Sequence, residues 1–292
     1  MGFDYEGLFE QIYSEQAGDL LGEYWRALPS GIKVGRMGYR TKTTKAGPRL
    51  EAEVYPLFGR EARGKLREAK RNMTPVKQQR LNAERSERHF ILLADGNFTE
   101  NDIHLTLTWK DAPTEERARK DIRNFLTKVK RLRLKYGLGA LKYLGMIEGN
   151  EGEGKTRLHV HLLMNGGIDR ETLEKLWGKG YANADRLAPD ENGLEAVARY
   201  IVKQRRGGSE NGGRKKWLAS RNLKQPKTRT SDTRMSNAKV KRIAKGFEGE
   251  AKEIMEKVYP GYAFVKCGVY FSDVVDGVYI RCVMRKREGG KK

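Results

Sequence analysis

Cysteine and histidine are both scarce in this chain, with two and four among 292 residues. Cys267 and Cys282 are too few for a disulfide framework or a four-thiolate zinc site, so the expectation is a pair of buried free thiols flanking a hairpin. Long apolar runs are missing too. No stretch approaches the ~18 residues of a membrane helix, and the opening Met-Gly-Phe-Asp-Tyr-Glu lacks the basic and apolar regions of a secretory signal. No stretch sets lysines against a Trp/Phe/Leu face, as a membrane-surface helix would. A soluble, cytoplasmic protein without a membrane partner is therefore expected. Acidic residues are the minority: 38 Asp and Glu stand against 59 Lys and Arg, for a net charge of +21. Such a field attracts polyanions, and nucleic acid is the first partner to consider.

Against this scarcity, two of the four histidines fall within three positions, His159 and His161, in the apolar run Leu158 to Met164. Alternation along a strand throws both imidazoles onto one face and turns Leu158, Val160 and Leu162 into a core on the other. Two imidazoles on one face can share a metal ion. His104 opens another strand pattern, where a structural role is expected, and His89 lies in a charged segment that carries no site argument.

The organisation divides near residue 97. Before it, residues 5–27 hold a short amphipathic helical pattern, 36–45 are rich in Lys, Arg, Thr and Gly, and Leu50 to Tyr55 is strand-like. Residues 60–90 form a charged helix candidate in two pieces, with Thr74-Pro75 as N-cap and first helical residue. From Ile103 strands and helices alternate regularly. His104 to Trp109 reads as a strand, and Pro113-Thr114 opens a helix that Gly137 and Gly139 end. Leu141 to Ile147 and Thr156 to Met164 read as strands around a glycine-rich turn. A short helix capped by Asp169 runs to Trp177, residues 181–187 form a strand, and a last helix spans about 192–204. This order predicts an α+β fold, an antiparallel sheet with helices on one side. The expected partition is 1–97 as a basic, mixed helical extension, 98–206 as the palm, 207–236 as a flexible basic loop with Trp217 as a stacking platform, and 237–292 as a helix and β-hairpin.

Gly149-Asn-Glu-Gly-Glu-Gly154-Lys155-Thr156 matches the literal pattern of a phosphate-binding P-loop, which requires a helix directly afterwards. The residues that follow alternate like a strand, and Glu151 and Glu153 would set carboxylates against the phosphates. A hairpin turn is the better reading. That turn folds Leu141 to Glu148 back on the histidine strand and brings Glu148 to the imidazoles as a candidate third ligand. Downstream, Tyr200 and Lys203 lie three apart on one helix face. A free phenol is ionised to only about one part in a thousand at pH 7, a cost of ~4 kcal/mol. A divalent ion and a nearby ammonium offset that cost at a scissile phosphate.

His159-Val-His161 followed by Tyr200-Ile-Val-Lys203 resembles the HUH endonuclease superfamily, specifically single-tyrosine rolling-circle replication initiators of phages and plasmids. His104-Leu-Thr-Leu-Thr108 resembles their first motif, with His where Phe is usual. The resemblance covers residues 103 to about 206. It implies a ferredoxin-like palm, Mg²⁺ or Mn²⁺ as cofactor, and single-stranded DNA at a replication origin as substrate. It further implies nicking and rejoining through a 5′-phosphotyrosine. Carried onto this chain, Tyr200 is the nucleophile, Lys203 its helper, and His159, His161 and Glu148 the metal ligands. Position 204 is Gln rather than a second tyrosine, hence the single-tyrosine type. Relaxases place their tyrosine before the histidines, the reverse of this order. A relaxase or single-tyrosine transposase is the alternative within the superfamily; a nonenzymatic nucleic-acid-binding protein and a metal hydrolase lie outside it. With no P-loop helicase in residues 207–292, unwinding would fall to a host helicase.

Overall fold

The computed structural model describes residues 38–71, 75–149, 158–203, 217–246, 248–271 and 277–287. In chain order the elements are β1 (Tyr39–Ala46), β2 (Arg49–Pro56), α1 (Arg60–Arg71), α2 (Pro75–Asn97), β3 (Ile103–Thr108), α3 (Glu115–Lys135), β4 (Tyr143–Glu148) and β5 (His159–Met164). They continue with α4 (Arg170–Trp177), β6 (Ala182–Arg186), α5 (Glu195–Lys203), β7 (Leu218–Ala219), β8 (Lys227–Ser231), α6 (Asn237–Lys245), α7 (Glu248–Val258), β9 (Tyr262–Phe271) and β10 (Val278–Lys286). The fold is α+β, with two five-stranded antiparallel sheets. Two compact units divide the chain, residues 89–225 and residues 1–88 with 226–292. Among the described residues no helix is long and apolar enough to cross a membrane. The amphipathic pattern expected at 5–27 lies outside the described residues.

In the 89–225 unit the strands run β6-β3-β5-β4-β7. The succession β3-α3-β4-β5-α4-β6 with this order is the ferredoxin-like split βαβ arrangement. Helix α3 starts where Thr114 accepts a hydrogen bond from the Arg117 N–H, with Glu115 and Glu116 in its first turn and Arg133 and Lys135 in its last, complementing the helix dipole. Gly137, at φ +64, follows its end. Its apolar stripe, Ala118, Ile122, Phe125, Leu126 and Val129, packs with Trp177 of α4 on Leu105, Leu107, Val160 and Leu162. Each such fully buried aliphatic side chain contributes about 1.5–3 kcal/mol. These two palm helices share one face of the sheet, as expected. The other face also receives helices: Phe90, Ile91, Leu93 and Ala94 of α2 and Ala198 and Ile201 of α5 pack with Leu144, Met146 and Leu163. Strand β5, not a helix, follows the Gly149–Thr156 pattern, and its pairing with β4 is antiparallel. Residues 150–157 themselves lie outside the described residues.

The other unit joins β8-β1-β2-β10-β9. One face of this sheet carries Leu50, Ala52, Val54, Ile280 and Met284 against Val240 and Ile243 of α6 and Ile254 and Met255 of α7. The helix expected from Asn237 to Val258 is thus two helices flanking Gly246. Strands β7 and β8 form within the stretch expected as a basic loop. Residues 204–216 of that stretch lie outside the described residues. Cys267 and Cys282 are not free thiols. The hairpin register sets them directly opposite each other, with Cα atoms 4.1 Å apart, and they are joined as a disulfide.

Candidate active site

Register places the site. On the sheet face that holds α5, alternation leaves His159 and His161 of β5, His104 and Thr106 of β3, and Glu148 of β4. Thr106 lies opposite His161, and Glu148 opposite His159. Gly145 makes the β4–β5 contact possible: a Cβ there would fall 2.0 Å from the His161 carbonyl oxygen, so a side chain would force the strands apart.

Ligand atoms of Glu148, His159 and His161 all lie within 4.8 Å of one another, and the three could hold a metal ion. Glu148 Oε2 is 2.9 Å from His159 Nε2 and 3.7 Å from His161 Nε2. Neither contact is a hydrogen bond: both Glu148 oxygens and His161 Nε2 are buried without a hydrogen-bond partner. A buried carboxylate in that condition costs several kcal/mol. The arrangement makes chemical sense around a cation, since ligands ~2.1 Å from a shared octahedral ion lie about 3 Å apart when adjacent. The donor set also fits, because two imidazoles and a carboxylate suit Mn²⁺ or another divalent first-row ion and leave positions for phosphate oxygens and water. Burial, reinforced by His104 and His159, holds the His161 imidazole down at about 3, so at neutral pH it is the uncharged, metal-binding form.

His104 is the residue that sequence reasoning undervalued. Its Nε2 lies 3.1 Å from His161 Nδ1, the rings stack at 5.1 Å, and Thr106 Oγ1 is 3.2 Å from the same Nδ1. When His161 Nδ1–H donates to either, Nε2 keeps its lone pair and faces Glu148, the arrangement by which an outer hydrogen bond orients a metal-binding histidine. Burial lowers the His104 pKa, with Asp185 working in the opposite direction, which favours a neutral ring able to accept. The signal was present in the sequence, since residues 104 and 106 share a strand face, but their partner depends on the β3–β5 register.

Tyr200 projects from α5 beside these groups. Ala198 and Ile201 anchor the helix on the sheet, and at its start the Leu194 N–H donates to the buried Asp95 carboxylate at 3.0 Å. The phenol ring is half exposed and meets the His161 ring edge-on at 5.3 Å between centroids. The structure thus brings Glu148, His159, His161 and Tyr200 together. Lys203 ends the same helix, and its side chain lies outside the described residues. Trp217, expected as a stacking platform, packs against His89, with rings stacked at 5.9 Å, and edge-on against Phe90.

Residues 102–205 match the family model of replication-associated protein ORF2/G2P. The match supports a replication initiator family. It begins just before β3 and ends just after α5, so it takes in every residue of the cluster. No curated protein and no solved structure matches the chain.

Proposed function

We propose that this protein initiates rolling-circle DNA replication as a single-tyrosine HUH endonuclease, nicking and rejoining single-stranded DNA at an origin. The observation that carries this reading is the convergence of buried, unpartnered Glu148 and His161 atoms with His159, beside the exposed phenol of Tyr200. The match to a replication-associated family supports the biological role. Glu148, His159 and His161 would hold Mg²⁺ or Mn²⁺, which when bound polarises the scissile phosphate.

Tyr200 Oη then attacks phosphorus. The P–O3′ bond breaks, the phenolic proton is lost and the departing 3′ oxygen takes one up, leaving a 3′ hydroxyl and a 5′-phosphotyrosine. Rejoining reverses these steps with an incoming 3′ hydroxyl. The half-exposed position of Tyr200 suits a nucleophile that must reach a polymer and then carry it. Lys203 is proposed to place positive charge near the forming oxyanions.

The test is incubation of wild type and Tyr200→Phe with labelled single-stranded DNA containing the candidate origin, with Mn²⁺ or with chelator, on a denaturing gel. The expected result is a protein-sized adduct that needs both Mn²⁺ and Tyr200. DNA retention without adduct on a verified origin would reassign the protein as a binding protein. Cleavage surviving Tyr200→Phe would make it a metal hydrolase.

A further inference from the structure

The sheet face that carries the metal ligands is unevenly covered. Its apolar cluster takes strand residues from β4 and β5, while β3 and β6 present polar groups there. Thr108 lies opposite His159, and the Thr108 N–H donates to the Tyr181 carbonyl at 2.8 Å. That bond carries the β3–β6 register one step past Leu107–Ala182, so backbone alternation assigns Tyr181 to the cross-strand row of Thr108, His159 and Glu148. Tyr181 is 66% exposed.

Its backbone is nonetheless held in place. The Thr108 hydroxyl also bonds the Tyr181 carbonyl at 3.2 Å, and one step back the Lys110 N–H donates to the Lys179 carbonyl at 2.8 Å. Between them, a Cβ on Gly180 would fall 2.6 Å from the Thr108 carbonyl oxygen, so the chain approaches β3 as only glycine allows. A ring with two rotatable bonds thus stands in solvent on a fixed base, an inexpensive way to present an aromatic surface. Further along the same edge, Arg170 donates to Asn183 and lies 3.5 Å from Asp185. Of the other exposed large apolar residues, Leu134 and Tyr136 lie at the end of α3, which packs on the opposite face.

We infer that Tyr181 is a stacking platform for a base of single-stranded DNA whose neighbouring phosphate lies beside the ion that Glu148, His159 and His161 would hold. The inference rests on the single-stranded substrate proposed above. Two strand spacings, ~10 Å, separate the Tyr181 and His159 backbones, about the span from a phosphate to a nearby base. Every base has a π-face, so such a platform adds affinity without sequence preference.

The probes are fluorescein-labelled oligothymidylate and an abasic oligomer of equal length. Anisotropy is read with Mn²⁺ on the Tyr200→Phe background, where no phosphotyrosine can form. Tyr181→Ala is expected to lose roughly 5- to 150-fold in affinity for oligothymidylate and nothing for the abasic chain, and Tyr181→Phe to stay within about twofold of the parent. Unchanged oligothymidylate binding by Tyr181→Ala, or an equal loss on both probes, would overturn the inference. A parent protein indifferent to bases would overturn it together with the single-strand reading. A Tyr181 effect alongside failure of the adduct test would leave the platform standing and remove only the proposed chemistry.

Discussion

Each unit buries carboxylates on the face of a sheet, and the two solve the same physical problem in opposite ways. In the unit made from the chain's two ends, Glu51 is met by Arg49 at 2.8 Å, Arg88 at 2.6 Å and Arg281 at 3.0 Å. Beside it Glu53 takes Arg88 at 2.5 Å and Lys42 at 3.6 Å. Glu148, also buried, has two imidazoles and, among the described residues, no lysine or arginine beside it. Burial by itself pushes a carboxyl pKa up; at Glu51 the charges of Arg281, Arg88 and Arg49 outweigh it and hold the group well below the usual carboxylate range. A buried carboxylate surrounded by guanidinium groups is complete within the chain. One whose oxygens meet only imidazoles has room for a cation from outside. Structural charge and functional charge can thus be told apart by whether the protein supplies the counter-ion.

The largest effect that would break this comparison is on stability. Glu51→Gln takes the carboxylate from buried Arg49 and from Arg281 and leaves Arg88 with Glu53 alone; it is expected to cost about 3–5 kcal/mol, read as a fall in the denaturant midpoint. Glu148→Gln should cost little, because no hydrogen bond holds the carboxyl oxygens it replaces, yet it should abolish adduct formation. Equal destabilisation by the two variants would show that the distinction is false.

Acid should expose the same asymmetry. The folded-state pKa of Glu51, and likewise of Glu53, lies below the unfolded value near 4.5. Their contribution is therefore fully present above about pH 4.5 and is lost as pH falls through the folded values. Stability measured downward from pH 5 should drop in wild type, and the drop should be shallower in a Glu51→Gln variant that remains folded. A slope unchanged by the substitution would argue against these groups as its source.

A smaller effect tests the other side. Mn²⁺ at about 100 times its dissociation constant should stabilise wild type by ~2.7 kcal/mol, reversibly with chelator, and should not stabilise Glu148→Gln. Stabilisation that persisted in that variant would place the ion elsewhere.

Much of the 89–225 unit was legible because its signals are local. Period-two alternation in His104 to Thr108 and in Leu158 to Met164, the Thr114 and Asp169 caps, and Gly137 each specify structure within a few residues. Glu148 followed from a hairpin, the shortest-range pairing a sheet has. The other unit was harder to read because its pairings join distant stretches: β1 pairs with β8, and β2 with β10. Strand β1 did not read as one because Tyr39, Thr41 and Thr43 face its core while Arg40 and Lys42 serve ion pairs on the other face, so no apolar alternation exists. Likewise Asp95 and Tyr181 are ordinary residues in the sequence. Only the contact of Asp95 with the start of α5, and the row that Tyr181 shares with His159, give them meaning.

His104 offers the finest division between the two kinds of charge, since it touches His161 and not Glu148. His104→Phe restores the residue usual in the first motif and removes the 3.1 Å contact to His161 Nδ1, leaving Thr106 as the remaining partner. Because Thr106 can still accept the Nδ1–H, the expected loss of Mn²⁺ affinity is at the low end for an outer-shell change, about tenfold by calorimetry. His104→Gln, which keeps an acceptor on a side chain of similar reach, should recover part of it. If both variants bind Mn²⁺ as wild type does, Thr106 alone orients His161 and the histidine at this position is packing. If Phe weakens binding and Gln restores it, the lone pair at His161 Nε2 is held by a two-residue acceptor pair, and the buried cluster around Glu148 is organised for an ion before any ion arrives.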